Sequence, residues 1–132
     1  MHTIFAILVI LHGLVHMWYV TLSQDWVTFQ SEMGWTGHSW LLSNVFGEKT
    51  TTLIASTLFI LCTILFTISG IGLLAKAGWS RNALALSSII SLLTLLVFWD
   101  GKPAMLVEKG LIGLLVNIGI LILIYATNWI AM

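Results

Sequence analysis

Two histidines lie four residues apart in the first apolar segment of the chain. His12 and His16 belong to the sequence LHGLVH, and the segment from Ile4 to Leu22 around them contains no Asp, Glu, Lys or Arg. Side chains at positions i and i+4 of a helix lie on the same face, so both imidazoles can point in one direction. Ionisable side chains inside a membrane helix are functional candidates by default. His12 and His16 are therefore the first candidates for a binding or catalytic role.

A metal ion is one ligand that this spacing could serve. Two histidines at i and i+4 can present both imidazoles to one ion, as they do in helical zinc motifs. A third ligand would have to come from an outer loop, and the candidates for it are His38, Asp100 and Glu108. We expect His12, His16, His38 and Asp100 to be the strongest metal candidates. The glutamate of the H-E-x-x-H pattern is missing, so that class of metallopeptidase is excluded.

Haem and quinone are two further interpretations of the same residues. Two histidines on one helix cannot sandwich a porphyrin, but a haem could take His16 alone, or a pair of histidines across a dimer axis. A proton or quinone site could combine the imidazole of His16 with Asn117 beneath the aromatic outer loop. The remaining interpretation is structural: neutral histidines bond to Asn117 or to hydroxyl groups of other helices and hold those helices together. The sequence leaves these interpretations open.

Membrane helices are the elements that would position these residues. The chain has 132 residues, of which 59% are hydrophobic and 8% are charged, too few charges for the surface of a soluble domain. Its apolar segments predict helices over about 4–22, 51–75, 82–99 and 110–131, each close to the roughly 17–25 residues that cross a bilayer. The expected fold class is an all-α integral membrane protein. We expect one domain over 1–132, a four-helix bundle with a long aromatic-rich outer loop over 23–50.

The polar residues of the predicted helices indicate how the helices face one another. Each helix has one weakly polar stripe, which is the side that packs in membranes. A rise of about 1.5 Å per residue puts His16 and Asn117 roughly 9 Å below the outer ends of their helices. We therefore predict a polar layer around these two residues, with His12 one turn deeper. Hydroxyl residues expected near that layer are Ser56, Thr57, Ser91 and Thr94.

The predicted outer loop is too apolar to be free in water. It contains Trp26, Phe29, Trp35 and Trp40, which favours a segment lying on the membrane surface or over the mouth of the bundle. Ser39 is expected to be the N-cap of a short helix in this loop, because serine oxygens accept hydrogen bonds from the first free amides of a helix.

The charges predict orientation and exclude one class of partner. The short loop between the second and third predicted helices contains Lys76 and Arg81 and no acid, so the positive-inside rule makes it cytoplasmic. Both termini are then cytoplasmic, and the expected location is the cell membrane. The first segment lacks the basic region and cleavage site of a signal peptide, so we expect it to be retained. A formal net charge of zero argues against a nucleic-acid partner.

Four short motifs carry a resemblance that covers most of the chain. In order they are LHGLVH, TGHSWLL, LSSIISLLTLLVFW and GLIGLLVNIGILIL, and together they resemble a group of small prokaryotic four-helix membrane proteins with an HGLxH motif in the first helix. That group is associated with an acid at the fourth-helix position where Asn117 stands here. In size and topology the chain is also similar to the DoxX-like family, whose small four-helix members are linked to quinone-dependent redox enzymes. The resemblance implies a fold and transfers no site residue.

The expected function is that of a non-catalytic accessory or self-associating membrane module. The sequence has no intramembrane charge and no cysteine pair, and we identify no nucleophile with a matching base. The expected partners are the lipid bilayer and either a second copy or another membrane protein. One alternative is a binding or redox protein that holds a metal, haem or quinone at His12, His16 and Asn117. Another is an oligomeric channel or transporter, because the inner half has too few polar residues for a monomeric pore.

Overall fold

A computed structural model describes residues 1–23, 38–99, 101 and 110–127, and all the regular structure in these residues is helical. The helices are α1 (His2–Ser23), α2 (Ser43–Phe46), α3 (Glu48–Leu74), α4 (Ser80–Val97) and α5 (Ile112–Ala126). Three of them, α1, α3 and α4, are long and apolar enough to cross a membrane. The described part of α5 is a shorter apolar helix.

The helix ends differ from the predicted ones by a few residues. Helix α3 begins at Glu48, three residues before the predicted helix start at about 51. Residues 24–37 of the predicted aromatic-rich loop over 23–50 lie outside the described residues. The prediction counted only apolar residues, whereas the polar first turn of α3 is helical and places a carboxylate at the positive end of the helix dipole. Helix α4 begins and ends two residues earlier than predicted. The predicted end of the last helix at residue 131 lies outside the described residues.

Helices α1 and α3 pack closely because small residues meet at their interface. A Cβ atom added to Gly13 would lie 2.6 Å from the Cβ of Phe66. The Oγ1 of Thr63 donates a hydrogen bond of 2.9 Å to the carbonyl of Gly13. Small and hydroxyl residues allow this backbone approach in membranes, where apolar side chains gain little by leaving lipid for protein.

Helix α4 packs between α3 and α5. On the α3 side, the Oγ atoms of Ser69 and Ser87 are 3.0 Å apart, and the Sγ of the buried Cys62 lies 4.0 Å from the Oγ1 of Thr94. The buried apolar residues form two clusters. One contains Ala6, Val9, Phe66, Leu73, Leu84, Ala85, Ile120 and Ile124, and the other contains Tyr19, Val20, Ala55, Phe59, Leu95 and Phe98.

Polar residues lie between these two apolar clusters. On α1, His12 and His16 fall between Val9 of the first cluster and Tyr19 of the second. On α4, Ser91 falls between residues 85 and 95 of the two clusters in the same way. In the described residues, a polar layer therefore separates two apolar clusters of the core.

The segment before α2 covers the end of α4. Trp40 donates from its indole Nε1 to the carbonyl of Leu96 over 2.8 Å, and Ser39 donates from its hydroxyl to the carbonyl of Val97 over 2.5 Å. Carbonyls in the last turn of a helix have no partner within that helix, so these bonds satisfy them. The Oγ of Ser39 also accepts from the amides of Leu41 and Leu42. Ser39 thus caps the turn that leads into α2, whose own N-cap position is Leu42.

A tight turn joins α3 to α4. The amide of Ala77 donates to the carbonyl of Gly72 over 2.9 Å, and Lys76 adopts a positive φ of 54°. This combination is the Schellman ending of a helix, in which the left-handed position is normally a glycine. A lysine in that position is strained.

Candidate functional site

Four side chains from α1, α4 and α5 form a closed ring of hydrogen bonds, which we call the polar ring: His12, His16, Ser91 and Asn117. The Nε2 of His12 lies 2.9 Å from the Oδ1 of Asn117, and the Nδ2 of Asn117 lies 2.8 Å from the Oγ of Ser91. The same Oγ lies 2.6 Å from the Nε2 of His16. The Nδ1 of His16 closes the ring 3.0 Å from the backbone carbonyl of His12.

The direction of each bond in the polar ring follows from groups that can only donate or only accept. The carbonyl of His12 only accepts, so the Nδ1 of His16 carries a proton. The amide nitrogen of Asn117 only donates, so Ser91 accepts that bond and directs its own hydroxyl proton to the Nε2 of His16. The Oδ1 of Asn117 accepts from the Nε2 of His12. Every bond is therefore satisfied with both histidines neutral and in opposite tautomers.

The polar ring lies in an aromatic and nearly dry environment. His16 is 2% exposed, and Ser91 and Asn117 are fully buried. The ring of Phe66 stacks on His16 at a centroid distance of 5.6 Å and meets His12 edge-on at 4.9 Å. A low dielectric strengthens hydrogen bonds and makes an unpaired polar atom costly. The closed ring thus gives each buried side-chain nitrogen and oxygen of His16, Ser91 and Asn117 at least one hydrogen-bond partner.

His12 differs from the other members of the polar ring because it is only half-buried. Within the described residues, Ser88 supplies the one fully covered side-chain nitrogen or oxygen that lacks a hydrogen-bond partner. The Nδ1 of His12 makes no hydrogen bond to a described residue either. With the proton on Nε2, this nitrogen carries a lone pair. With both histidines neutral, the polar ring therefore has one open hydrogen-bond acceptor, the Nδ1 of His12.

The structure brings three of the residues predicted from the sequence together and separates others. His12, His16 and Asn117 meet, but Asn117 bonds directly to His12 and reaches His16 only through Ser91. The predicted layer joined Asn117 to His16 because depth was estimated from the helix ends. Ser56 and Thr94 are buried as expected. Thr57 is exposed and bonds to its own helix through the carbonyl of residue 53, because it lies about 100° around α3 from Ser56.

His38, one of the other predicted metal ligands, does not join the two histidines. His38 lies beside the start of α3, with its Nδ1 3.6 Å from the Oε1 of Glu48. Phe66, which touches His12, is 18 residues further along α3, roughly 27 Å away. Asp100 lies outside the described residues. Where side chains are described, no group of three or more His, Cys, Asp or Glu could hold a metal ion.

The polar ring also limits what His16 can bind. Its Nδ1 carries a proton that is donated to a carbonyl, and its Nε2 lone pair accepts from Ser91. A metal or haem iron needs a free imidazole lone pair, so it could take His16 only after the bond to Ser91 had broken. The open Nδ1 of His12 requires no such change.

Sequence reasoning missed the bridging role of Ser91 and the position of Gly113. Gly113 lies beside His12: a Cβ added there would be 3.9 Å from the Cε1 of the imidazole. The signal for Ser91 was its place on the polar stripe of α4, but several hydroxyl residues share that stripe and only packing selects one.

Comparisons with models of protein families, with curated proteins and with solved structures find no match for this chain.

Proposed function

We propose that this chain is a small polytopic membrane protein that acts as a non-catalytic accessory or self-associating module. In this proposal four helices, α1, α3, α4 and α5, form a bundle in the cell membrane. The proposal is supported by three helices of sufficient length and apolar character to span a bilayer. The lipid-facing surface would be the many large apolar side chains that remain exposed on all four helices.

The polar ring supports the non-catalytic part of the proposal. It links α1, α4 and α5 by hydrogen bonds that leave His16, Ser91 and Asn117 with their partners inside the protein. Interhelical bonds of this kind fix which helices meet and in which register. Both nitrogens of His16 are committed to this packing role. A metal or haem function that uses both histidines finds less support, because it would dismantle the ring.

The proposed orientation places the turn between α3 and α4 in the cytoplasm. Lys76 and Arg81 lie in and beside this turn, and no acid accompanies them. The Nη2 of Arg81 donates to the carbonyl of Ile124 over 2.5 Å, so this cation also stabilises the negative end of α5. Basic residues near the ends of membrane helices favour the cytoplasmic side. Both termini would then be cytoplasmic.

The test uses untagged protein purified in mild detergent, as wild type and as the His12→Gln/His16→Gln double variant. We expect wild type to contain no stoichiometric metal by elemental analysis and no haem band in its visible spectrum. We expect the double variant to be less stable, because it disrupts the polar ring. A metal or a haem band that is present in wild type and lost from a folded double variant would contradict the proposal.

Self-association needs its own measurement. Two batches of the protein, one with a donor and one with an acceptor fluorophore, are combined in lipid vesicles at increasing dilution in lipid. Energy transfer that saturates at a fixed stoichiometry supports a self-associating module. Transfer that only follows random proximity contradicts self-association and leaves the accessory role, which requires a different membrane protein as partner.

A further inference from the structure

We propose that the gap between α1 and α5 is a binding site for a neutral, membrane-dissolved molecule that carries a hydroxyl group, with the Nδ1 of His12 as the acceptor of its hydrogen bond. This inference rests on the membrane location proposed above and goes beyond the packing role of the polar ring. The polar ring supplies the acceptor, and the glycine at position 113 of α5, which faces His12 without a side chain, supplies the opening.

The open nitrogen, the Nδ1 of His12, is a hydrogen-bond acceptor. The Nε2 of His12 carries a proton and donates it to the Oδ1 of Asn117. In a neutral imidazole the Nδ1 of His12 therefore carries a lone pair and no proton. No described residue donates to it, although its imidazole is held in place by Phe66 and Asn117. A site that offers an acceptor and no donor selects ligands that donate.

The access route to this nitrogen lies between α1 and α5. Helices α1 and α5 have little direct backbone contact, and the hydrogen bond between His12 and Asn117 crosses the space between them. Gly113 lies one turn before Asn117 on α5 and faces the Cε1 of His12. Cε1 lies between the two imidazole nitrogens, of which Nε2 is bonded to Asn117, so the open Nδ1 is one bond away from the atom that Gly113 faces. The absence of a side chain at Gly113 leaves room there for one heavy atom of a ligand, because an added Cβ would make only ordinary contacts of 3.4 Å to Leu95 and 3.9 Å to His12.

The depth of His12 in the membrane limits the kind of molecule that can reach it. His12 lies 11 residues from the outer end of α1, about 16 Å along the helix, which is near the middle of a hydrocarbon layer about 30 Å thick. Leu8 and Val15, one turn to either side of His12, are 57% and 53% exposed. Lipid chains have no donor, and an ion is costly at this depth. A neutral amphiphile with one hydroxyl group satisfies both conditions.

The direct test compares two probes on wild-type protein in nanodiscs. The probes are para-hexylphenol, which donates a hydrogen bond, and its methyl ether, which has the same apolar body and no donor. Binding is followed by the ¹⁵N resonances of labelled histidines. We expect the phenol to shift the Nδ1 resonance of His12 in a saturable way. We expect the ether to bind at least about tenfold more weakly, because an unmet hydrogen bond lowers affinity by this order.

A pair of glycine variants locates the site. Gly113→Leu places a side chain in the opening, and its Cβ is tolerated because the nearest atoms are 3.4 Å and 3.9 Å away. Gly119→Leu is the matched control on the same helix, because no atom lies within 4 Å of its added Cβ. We expect the first variant to weaken phenol binding at least tenfold and the second to leave it unchanged. The unshifted resonances of His16 report that the polar ring is intact in both.

Three results would overturn the proposal. They are equal binding of the phenol and its ether, a response at His16 in place of His12, and phenol binding that Gly113→Leu does not weaken. If Gly113→Leu fails to fold, Gly113→Ala replaces it and the comparison of the two probes on wild type still decides the question. These results would contradict the binding site and not the packing role of the polar ring, because the packing role is tested separately by the stability of the protein.

Discussion

The amide nitrogen of Asn117 donates a hydrogen bond to the Oγ of Ser91 over 2.8 Å, and this contact sets the direction of the polar ring. Ser91 has a single proton to give, and because it accepts from Asn117 it can give that proton to His16. The amide oxygen of Asn117 remains to accept from His12. One serine and one asparagine on neighbouring helices thereby determine the tautomers of two histidines on a third helix.

Ser91→Ala should destabilise the protein by about 1–3 kcal/mol. The substitution leaves the Nε2 of His16 without a donor and the Nδ2 of Asn117 without an acceptor, and both are in a dry environment. The free energy of unfolding is measured in detergent micelles by titration with a denaturing detergent.

Ser88→Ala is the matched control for this prediction. Ser88 lies on the same helix and is equally buried, but its Oγ has no partner among the described residues. Removal of an unpaired buried hydroxyl should be neutral or slightly stabilising. Equal losses for the two variants would mean that the polar ring contributes no more than any buried serine.

The two histidines should carry their protons on different nitrogens. We expect His12 to be protonated at Nε2 and His16 at Nδ1, because the Nδ1 of His16 donates to a backbone carbonyl 3.0 Å away. Solid-state ¹⁵N NMR of histidine-labelled protein in lipid bilayers at pH 7 distinguishes the two tautomers by the shifts of protonated and unprotonated nitrogens. The same tautomer at both residues would contradict the directions of the hydrogen bonds in the polar ring.

Much of the helical structure follows from composition and hydrophobic segments. Runs without charge predicted α1, α3 and α4 to within a few residues, because apolar length is a strong signal. Helix α3 begins three residues before the predicted start at about 51, since Glu48–Thr50 form a polar first turn. Sequence periodicity also placed the imidazoles of His12 and His16 on one face of α1.

The details of the site depend on packing, which the sequence does not specify. Depth estimated from helix ends paired His16 with Asn117, yet α5 is positioned so that Asn117 reaches His12 and Ser91. A difference of one helical turn decides between these pairings. The choice of Ser91 over Ser88 depends in the same way on the rotation of α4, which is a tertiary property.

Gly13→Ala should destabilise the protein by about 1–3 kcal/mol. Its new Cβ would lie 2.6 Å from the Cβ of Phe66 and 3.3 Å from the carbonyl oxygen of Thr63, so α1 and α3 would have to move apart. That movement would also lengthen the hydrogen bond from Thr63 to Gly13. The unfolding free energy in detergent gives the size of the effect.

Gly119→Ala should act in the opposite direction and serves as the control for helix propensity. Nothing lies within 4 Å of its added Cβ, and alanine is a better helix former than glycine by up to about 1 kcal/mol. A stabilised Gly119→Ala with a destabilised Gly13→Ala supports close packing at the α1–α3 interface. If both substitutions stabilise, the two helices are further apart than the structure describes.

Lys76→Gly should stabilise the protein by about 1–2 kcal/mol, because Lys76 has a φ of 54° at a position that glycine adopts without steric cost. Lys76→Ala is the matched comparison: it removes the same charge and retains a Cβ in the left-handed conformation. We expect the alanine variant to have the stability of wild type within about 0.5 kcal/mol, as for most exposed substitutions. Thermal unfolding of the three proteins in one detergent measures the difference. Equal gains from glycine and alanine would assign the effect to the lost charge and contradict backbone strain in this turn.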